Sequence, residues 1–303
     1  MATKPNSAAR DAAANDTPRA VPNRTKPVKK KSVTSGQRKL SRLKRPDGLS
    51  LEEWQRALRR QFGVEQRFQI ENIGAEPVFS EFRVTNPESK NSYRVAIRGS
   101  DLGDNFCSCP DFATNTLGTC KHVEFTLASL TRRRGGKAAL KAGFQPAYSE
   151  VFLHYGAQRE IRFRPARACP RELVQLAAEF FAPAGKLLPE KYTVFDRFLS
   201  GARRLDHELR CYDDALIFLA EVRDAERRCE QIRRAFPQGI ASAAFKNLLK
   251  ISMYDYQREG ALFAARAGRS LIGDEMGLGK TIQALAAAEI MAHELGVNRV
   301  LVI

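Results

Sequence analysis

The feature that most constrains the fold of this 303-residue chain is a knot of metal-preferring side chains. Three of its six cysteines and one of its four histidines fall between positions 107 and 122, as Cys107-Ser-Cys109, a spacer, then Cys120-Lys-His122. Residues two apart in an extended strand point the same way, so Cys107 and Cys109 can present both sulfurs to one ion. Cys120 and His122 stand where a helix begins; a non-helical first residue lets a pair two apart converge there, whereas inside the helix it would diverge. Three thiolates and an imidazole are the donor set of tetrahedral zinc, and four protein ligands make a closed, structural site. The alternative is four ordinary buried or surface residues. Six cysteines are too few for a disulfide framework at this length.

The segments around the cluster read as a compact module over residues 48–136. Ser50 and Glu53 match a capping box, and Leu51, Trp54, Leu58 and Phe62 recur at helical spacing, which predicts a short amphipathic helix with Trp54 in the core. Strand-like runs at 67–73, 78–85 and 92–98, broken by Gly, Pro and Asn, predict a small antiparallel sheet. A helix over 123–130 follows the ligands and stops at Arg134, Gly135 and Gly136.

Charge is distributed unevenly. The chain carries +16 overall, and residues 1–46 hold thirteen Lys/Arg against Asp11 and Asp16, a net +11. Residues 1–47 lack apolar periodicity and are expected to be a disordered basic arm, either a solvated tail or a counterion-releasing contact for nucleic acid. There is no apolar run of membrane-spanning length and no secretory signal near the start, which points to an intracellular protein: cytoplasmic or nucleoid-bound in a bacterium, nuclear in a eukaryote.

Residues 137–250 carry no chemical motif. After a basic linker, 151–155 and 160–163 predict a hairpin around Gly156, and the chain then reads as helical from 171 to about 250. Phe218, Val222, Ala225, Cys229, Ile232 and Phe236 form one seam of a long helix, packed in a helical hairpin. Arg223, Arg227, Arg228, Arg233 and Arg234 alternate there with Glu221, Glu226 and Glu230, the pattern of a solvated face, with phosphate contact as the alternative. Cys169 and Cys211 have no activating neighbour, and with Cys229 they are expected to be non-catalytic; His154, His207 and His293 are expected to be packed or surface residues.

Residues 251–303 change character. They read as helix, strand, glycine loop, helix, strand, the order of one α/β unit, with strands at 270–272 and 300–303. The loop Gly273-Asp274-Glu275-Met276-Gly277-Leu278-Gly279-Lys280-Thr281 leads into a helix. Gly277 and Gly279 let backbone N–H groups turn toward a phosphate, Lys280 can reach the β and γ phosphates, and Thr281 can offer a hydroxyl to magnesium. The general phosphate-loop pattern places glycine at position 274, where this chain has Asp274.

Two resemblances follow from these motifs. C-x-C, a spacer and C-x-H resembles the SWIM zinc module of Swi/Snf-type ATPases and transposase-like proteins, a module that binds nucleic acid or protein. Asp274 to Thr281, running on through Ile282 and Gln283, resembles the first helicase motif of Swi/Snf-type, superfamily-two ATPases, which carry an acidic residue at the position of Asp274. Tyr254-Asp-Tyr256-Gln257-Arg-Glu-Gly260 resembles the adenine-recognition element of that family, and Gln257 stands where its amide reads the base. The resemblance implies an α+β zinc module and a helical region ahead of the first part of a RecA-like lobe. It also implies zinc, ATP with Mg2+, DNA (double-stranded), a possible protein partner for the module, and no membrane. No acidic pair of the Asp-Glu-x-His kind follows to hold magnesium and activate water, and no second lobe with an arginine finger. The expected reading is therefore an amino-terminal fragment of a DNA translocase, inactive alone. The alternative is a stand-alone zinc-dependent binding module with an ATPase remnant.

Overall fold

The structure is a computed structural model that describes residues 39–303. The basic arm expected over 1–47 thus lies mostly outside the described residues. Its last part does not stand free. Residues 40–47 run along helix α1 (Leu51–Glu65): Leu40 N–H donates to Gln61 Oε1 at 2.8 Å, and the Arg42 guanidinium sits 4.2 Å from the Phe62 ring. Trp54 is half-buried instead of in the core, because its indole N–H donates to Ser41 O at 3.0 Å under this segment. The capping box forms as expected, with Ser50 Oγ accepting from Glu53 N–H and the Glu53 carboxylate accepting from Ser50 N–H.

The first sheet is antiparallel in the order β1 (Gln69–Asn72), β2 (Glu81–Thr85), β3 (Ser92–Ala96), β4 (Phe106–Cys107). Alternation on β2 buries Phe82 and Val84 and exposes Arg83. The three expected strands are present, and β4 is additional. Two residues are too few to show a period, yet its pairing of Cys107 with Val95 brings the first metal-type ligand onto the sheet. Helices α2 (Pro110–Thr114), α3 (Lys121–Arg132) and α4 (Gly136–Ala142) follow. Helix α1 crosses α3 at Gly63, where a Cβ would lie 2.8 Å from the Lys121 carbonyl oxygen.

The second sheet has the order β6-β5-β7, with β5 (Ser149–His154) and β6 (Glu160–Arg164) forming the expected hairpin. The region from 171 onward is not uniformly helical. Helices α5 (Arg171–Phe180) and α6 (Phe195–Ala202) are followed by β7 (Leu209–Cys211), which pairs parallel with β5 before α7 (Asp213–Ala235) begins. One buried apolar cluster runs through both sheets, including Phe82, Val95, Val151, Leu153, Phe195, Phe198 and Leu219. A buried polar network ties the sheets as well: Arg98 makes a two-pronged pair with Asp214 at 2.8 and 2.9 Å, and Tyr155 Oη donates to the same carboxylate at 2.8 Å.

A second apolar cluster gathers Ile232 and Phe236 with Ala261, Leu262, Ala286 and Ile290, joining the end of α7 to α8 (Asp255–Ala267) and α9 (Lys280–Leu295). Neither strand expected in this part forms. Leu271 is 88% exposed and Leu301 84%, and neither segment pairs with a strand among the described residues. An extended run needs a neighbour to take its N–H and C=O groups, so apolar composition alone does not make a strand. The last segment is two packed helices joined by a glycine loop. No helix among the described residues is long and apolar enough to cross a membrane.

Candidate metal centre and glycine loop

Cys107, Cys109, Cys120 and His122 converge. Their ligand atoms all lie within 4.8 Å of one another, and all four residues are buried. They arrive by three local devices. Cys107 hangs from β4, whereas Cys109 is the extended N-cap of α2, its sulfur accepting from Phe112 N–H at 3.4 Å. Cys120 is the extended N-cap of α3, and His122 lies in that helix's first turn. The His122 ring is held between Phe68 and Tyr93, with centroids 5.2 and 4.7 Å away. Its Nδ1 therefore faces Cys107 Sγ at 3.8 Å and Cys120 Sγ at 3.9 Å.

These separations fit a tetrahedral ion. Zn–S and Zn–N bonds of ~2.3 and ~2.0 Å at tetrahedral angles set sulfur–nitrogen edges of about 3.5 Å. The electrostatics point the same way. Three buried thiols at this range share their protons unevenly: hydrogen bonds from Cys107 and Cys120 hold the Cys109 sulfur toward the thiolate, while burial pushes Cys120 up to about 12. A divalent cation is what permits all three to ionise in one buried place. The donor set thus fits zinc, and the cluster could hold a metal of that kind.

A second group, Asp101, Asp104 and His154, also brings metal-type atoms together. Here the cation is already supplied by the protein, because Arg164 Nη2 sits 2.6 Å from Asp104 and His154 Nδ1 2.8 Å from its other oxygen. His207 bonds Ser149 Oγ at 2.9 Å and His293 lies 3.4 Å from Glu289, so the three remaining histidines are packed or surface groups as expected. Burial pushes Cys211 up to about 12, away from any nucleophilic role.

The glycine loop is exposed but ordered at its helical ends. Gly277 and Gly279 have φ of +88° and +75°, the left-handed turn that their lack of a side chain permits. Lys280 opens α9, and its ammonium folds back onto the Asp274 and Glu275 carbonyls at 3.0 and 3.1 Å. Thr281 is exposed, as are Met276 and Leu278. Gln257 is 3% exposed: its Oε1 accepts from Tyr254 N–H at 3.1 Å and its Nε2 donates to Leu278 O at 3.2 Å. Gln283, also buried, donates to Asp274 Oδ2 at 2.5 Å and lies so close to Gly260 that a Cβ there would collide with its Oε1. Sequence reasoning noticed Gln283 and Gly260 only as continuations of motifs; the contact between them is non-local and leaves no local signal. Beside the loop lies an open cleft of about 560 Å³ lined by Tyr256, Gly260, Phe263, Leu271 and Asp274.

The arginines of α7 are occupied. Arg223 Nε donates to Tyr192 O at 2.7 Å, Arg228 Nε to Arg266 O at 2.9 Å, and Arg233 and Arg234 pair with Glu230.

No protein family model matches the chain, and no solved structure matches it. Among characterised proteins, it is 28% identical over 141 residues to a SWI/SNF-related matrix-associated actin-dependent regulator of chromatin subfamily A-like protein 1 homolog of Caenorhabditis elegans. The match takes 45% of this chain and 19% of that protein, so it spans about a fifth of the relative's length. The likeness is a distant, partial link to the SWI/SNF-related proteins.

Proposed function

We propose that this chain is the amino-terminal part of an ATP-driven translocase on double-stranded DNA, of Swi/Snf type, with a SWIM-type zinc module ahead of the ATPase lobe. The observation that carries the reading is the coupling of the glycine loop to Gln257. The residue expected to read a base touches the carbonyl of Leu278, two positions before Lys280, which supports a reading in which base and phosphate would be recognised by one connected piece of structure. The partial likeness to a chromatin regulator supports the DNA-directed side.

In this reading Asp274, Glu275, Met276, Gly277, Leu278 and Gly279 form the phosphate cradle. Lys280 would hold β and γ phosphate oxygens in place of the two loop carbonyls, and Thr281 would offer its hydroxyl to Mg2+. Gln257, once free of both Leu278 and Tyr254, would offer donor and acceptor together to the adenine edge. Cys107, Cys109, Cys120 and His122 hold zinc, which supplies a closed tie between β4 and α3. That tie fixes the module for contact with DNA or a protein partner, while residues 1–46 add sequence-independent attraction.

The test is ATP hydrolysis with and without duplex DNA, measured on the product of the complete reading frame. DNA-stimulated hydrolysis that Lys280→Ala reduces by about 100-fold or more, the scale of losing a preorganised electrostatic contact, is the expected result. Hydrolysis indifferent to DNA would remove the translocase reading, and absent hydrolysis with zinc retained would leave a zinc-dependent binding module.

A further inference from the structure

Between Glu124 and Glu150 the chain contains no acidic residue. In that stretch Arg132, Arg133, Arg134, Lys137 and Lys141 are all exposed, and among the described residues none of them meets a carboxylate or a hydrogen-bond acceptor. Some exposed arginines elsewhere are ion-paired, although Arg203, Arg204 and Arg269 are exposed and meet no carboxylate among the described residues; what sets this stretch apart is five such cations gathered with no acidic residue between them. Arg83 pairs with Glu71, Arg227 with Asp224, and Arg233 and Arg234 with Glu230. A merely solvated face would show the same mixture of signs as those helices and strands.

The backbone beneath these cations is fixed. Arg133 N–H donates to Leu130 O at 3.0 Å, Gly136 N–H to Arg133 O at 3.1 Å and Ala139 N–H to Gly135 O at 2.9 Å. Gly136 is buried, and a Cβ on it would collide with the Leu130 carbonyl, so only glycine allows α4 to turn this tightly from α3. Leu130 is fully buried and Leu140 packs against the same core. The five cations are therefore carried on a fixed backbone corner. The 12 residues of α3 put the corner about 18 Å from Cys120. That exceeds a Debye length of about 8 Å at physiological salt, so the charge of the metal centre does not neutralise it.

We infer that the α3–α4 corner, through Arg132, Arg133, Arg134, Lys137 and Lys141, is a contact site for the phosphate backbone of duplex DNA. This rests on the proposed DNA-directed function and assigns part of the binding to a folded surface in addition to the basic arm. Contacts of this kind release counterions and carry no sequence preference.

The experiment measures affinity of the full chain for a random-sequence duplex between about 50 and 200 mM salt. Arg132→Gln, Arg133→Gln and Arg134→Gln are combined in one variant, and Lys137→Gln with Lys141→Gln in a second. Zinc content and thermal midpoint report that each is folded. Each neutralised phosphate contributes about 0.9 to the slope of log K against log salt, so the triple variant should lose about 2 to 3 from it and the double variant about 1 to 2. Arg227→Gln, Arg233→Gln and Arg234→Gln together, a charge-matched change on α7, should leave the slope unchanged. Native binding with the same slope in both corner variants would overturn the corner and leave the DNA-directed reading standing; no salt-dependent binding by the native chain would overturn both. Loss of binding to poly-glutamate but not to DNA would assign the corner to an acidic protein and overturn the proposal.

Discussion

The candidate metal cluster and the glycine loop are both short motifs with clear spacing, yet among the described residues the first is enclosed on every side and the second is open. Around Cys107 to His122 every ligand is buried and the supporting strands pair within a four-stranded sheet. Around 273–281 the two helices pack through Gly260 and Gln283, but the runs at 270–272 and 300–303 pair with nothing among the described residues and leave Leu271, Val302 and Ile303 exposed. The difference is one of partners. A tetrahedral site needs four side chains that lie within sixteen positions and one small sheet behind them. Parallel strands, by contrast, come from distant parts of a chain and pair only when their neighbours are in place.

Substitutions can break or sharpen this contrast. The largest effect is expected from Cys120→Ser. Structural zinc binding is largely folding free energy, on the order of 10 kcal/mol in small modules, so this variant should lose its tightly bound zinc and unfold at a markedly lower temperature. Elemental analysis after mild chelation checks the first point; equal zinc in variant and native chain would remove Cys120 from the ligand set. Next is Asp214→Ala, which strands the buried Arg98 guanidinium and should cost about 3 to 5 kcal/mol in denaturant unfolding, far more than a surface pair. Gly260→Ala strikes the better-built part of the loop region. The new Cβ must displace Gln283, and the overpacking should cost about 1 to 3 kcal/mol and free Asp274 from its amide partner, read as faster hydrogen exchange in the loop.

The smallest effect concerns pH. Burial raises the Glu150 carboxyl above its ordinary value, against the opposing pull of Arg164 and Tyr212. A raised folded-state pKa contributes stability that is present in acid and lost as pH climbs through it. The stability of the native chain relative to Glu150→Gln should accordingly fall on going from about pH 4, near the ordinary carboxyl value, to about pH 7, as measured by denaturant unfolding at each pH. A flat difference across that range would mean that Arg164 offsets the burial completely.

What could be read from the residues alone was local. The capping box at Ser50, the strand within 78–85 and the hairpin at 149–164 follow from contacts within a few positions, and the ligand set from spacing within sixteen. The short strands β4 and β7 could not be read, since two or three residues show no period and their existence depends on β3 and β5 being there to pair. The strands at 270–272 and 300–303 fail for the mirror reason: they have the composition without the neighbour. Trp54 left the core because residues 40–47 offered its indole a carbonyl, and Arg98 found Asp214 across more than a hundred positions. At the candidate sites, the zinc-type ligands and the loop glycines were visible as pattern. The folding of the Gln257 amide onto Leu278 was not, because an amide that serves as an internal brace and one that reads a base have the same sequence signature.

Helix α7 belongs to both apolar clusters, lending Ala215 and Leu219 to the first and Ile232 to the second. At 23 residues it is about 34 Å long, pinned by Asp214 at one end and by Arg228 on the last carbonyls of α8 at the other. Neither cluster can dissolve without stripping apolar surface from a helix the other still needs. Residues 40–303 should therefore melt as one cooperative body, with a single calorimetric peak whose measured and van't Hoff enthalpies agree.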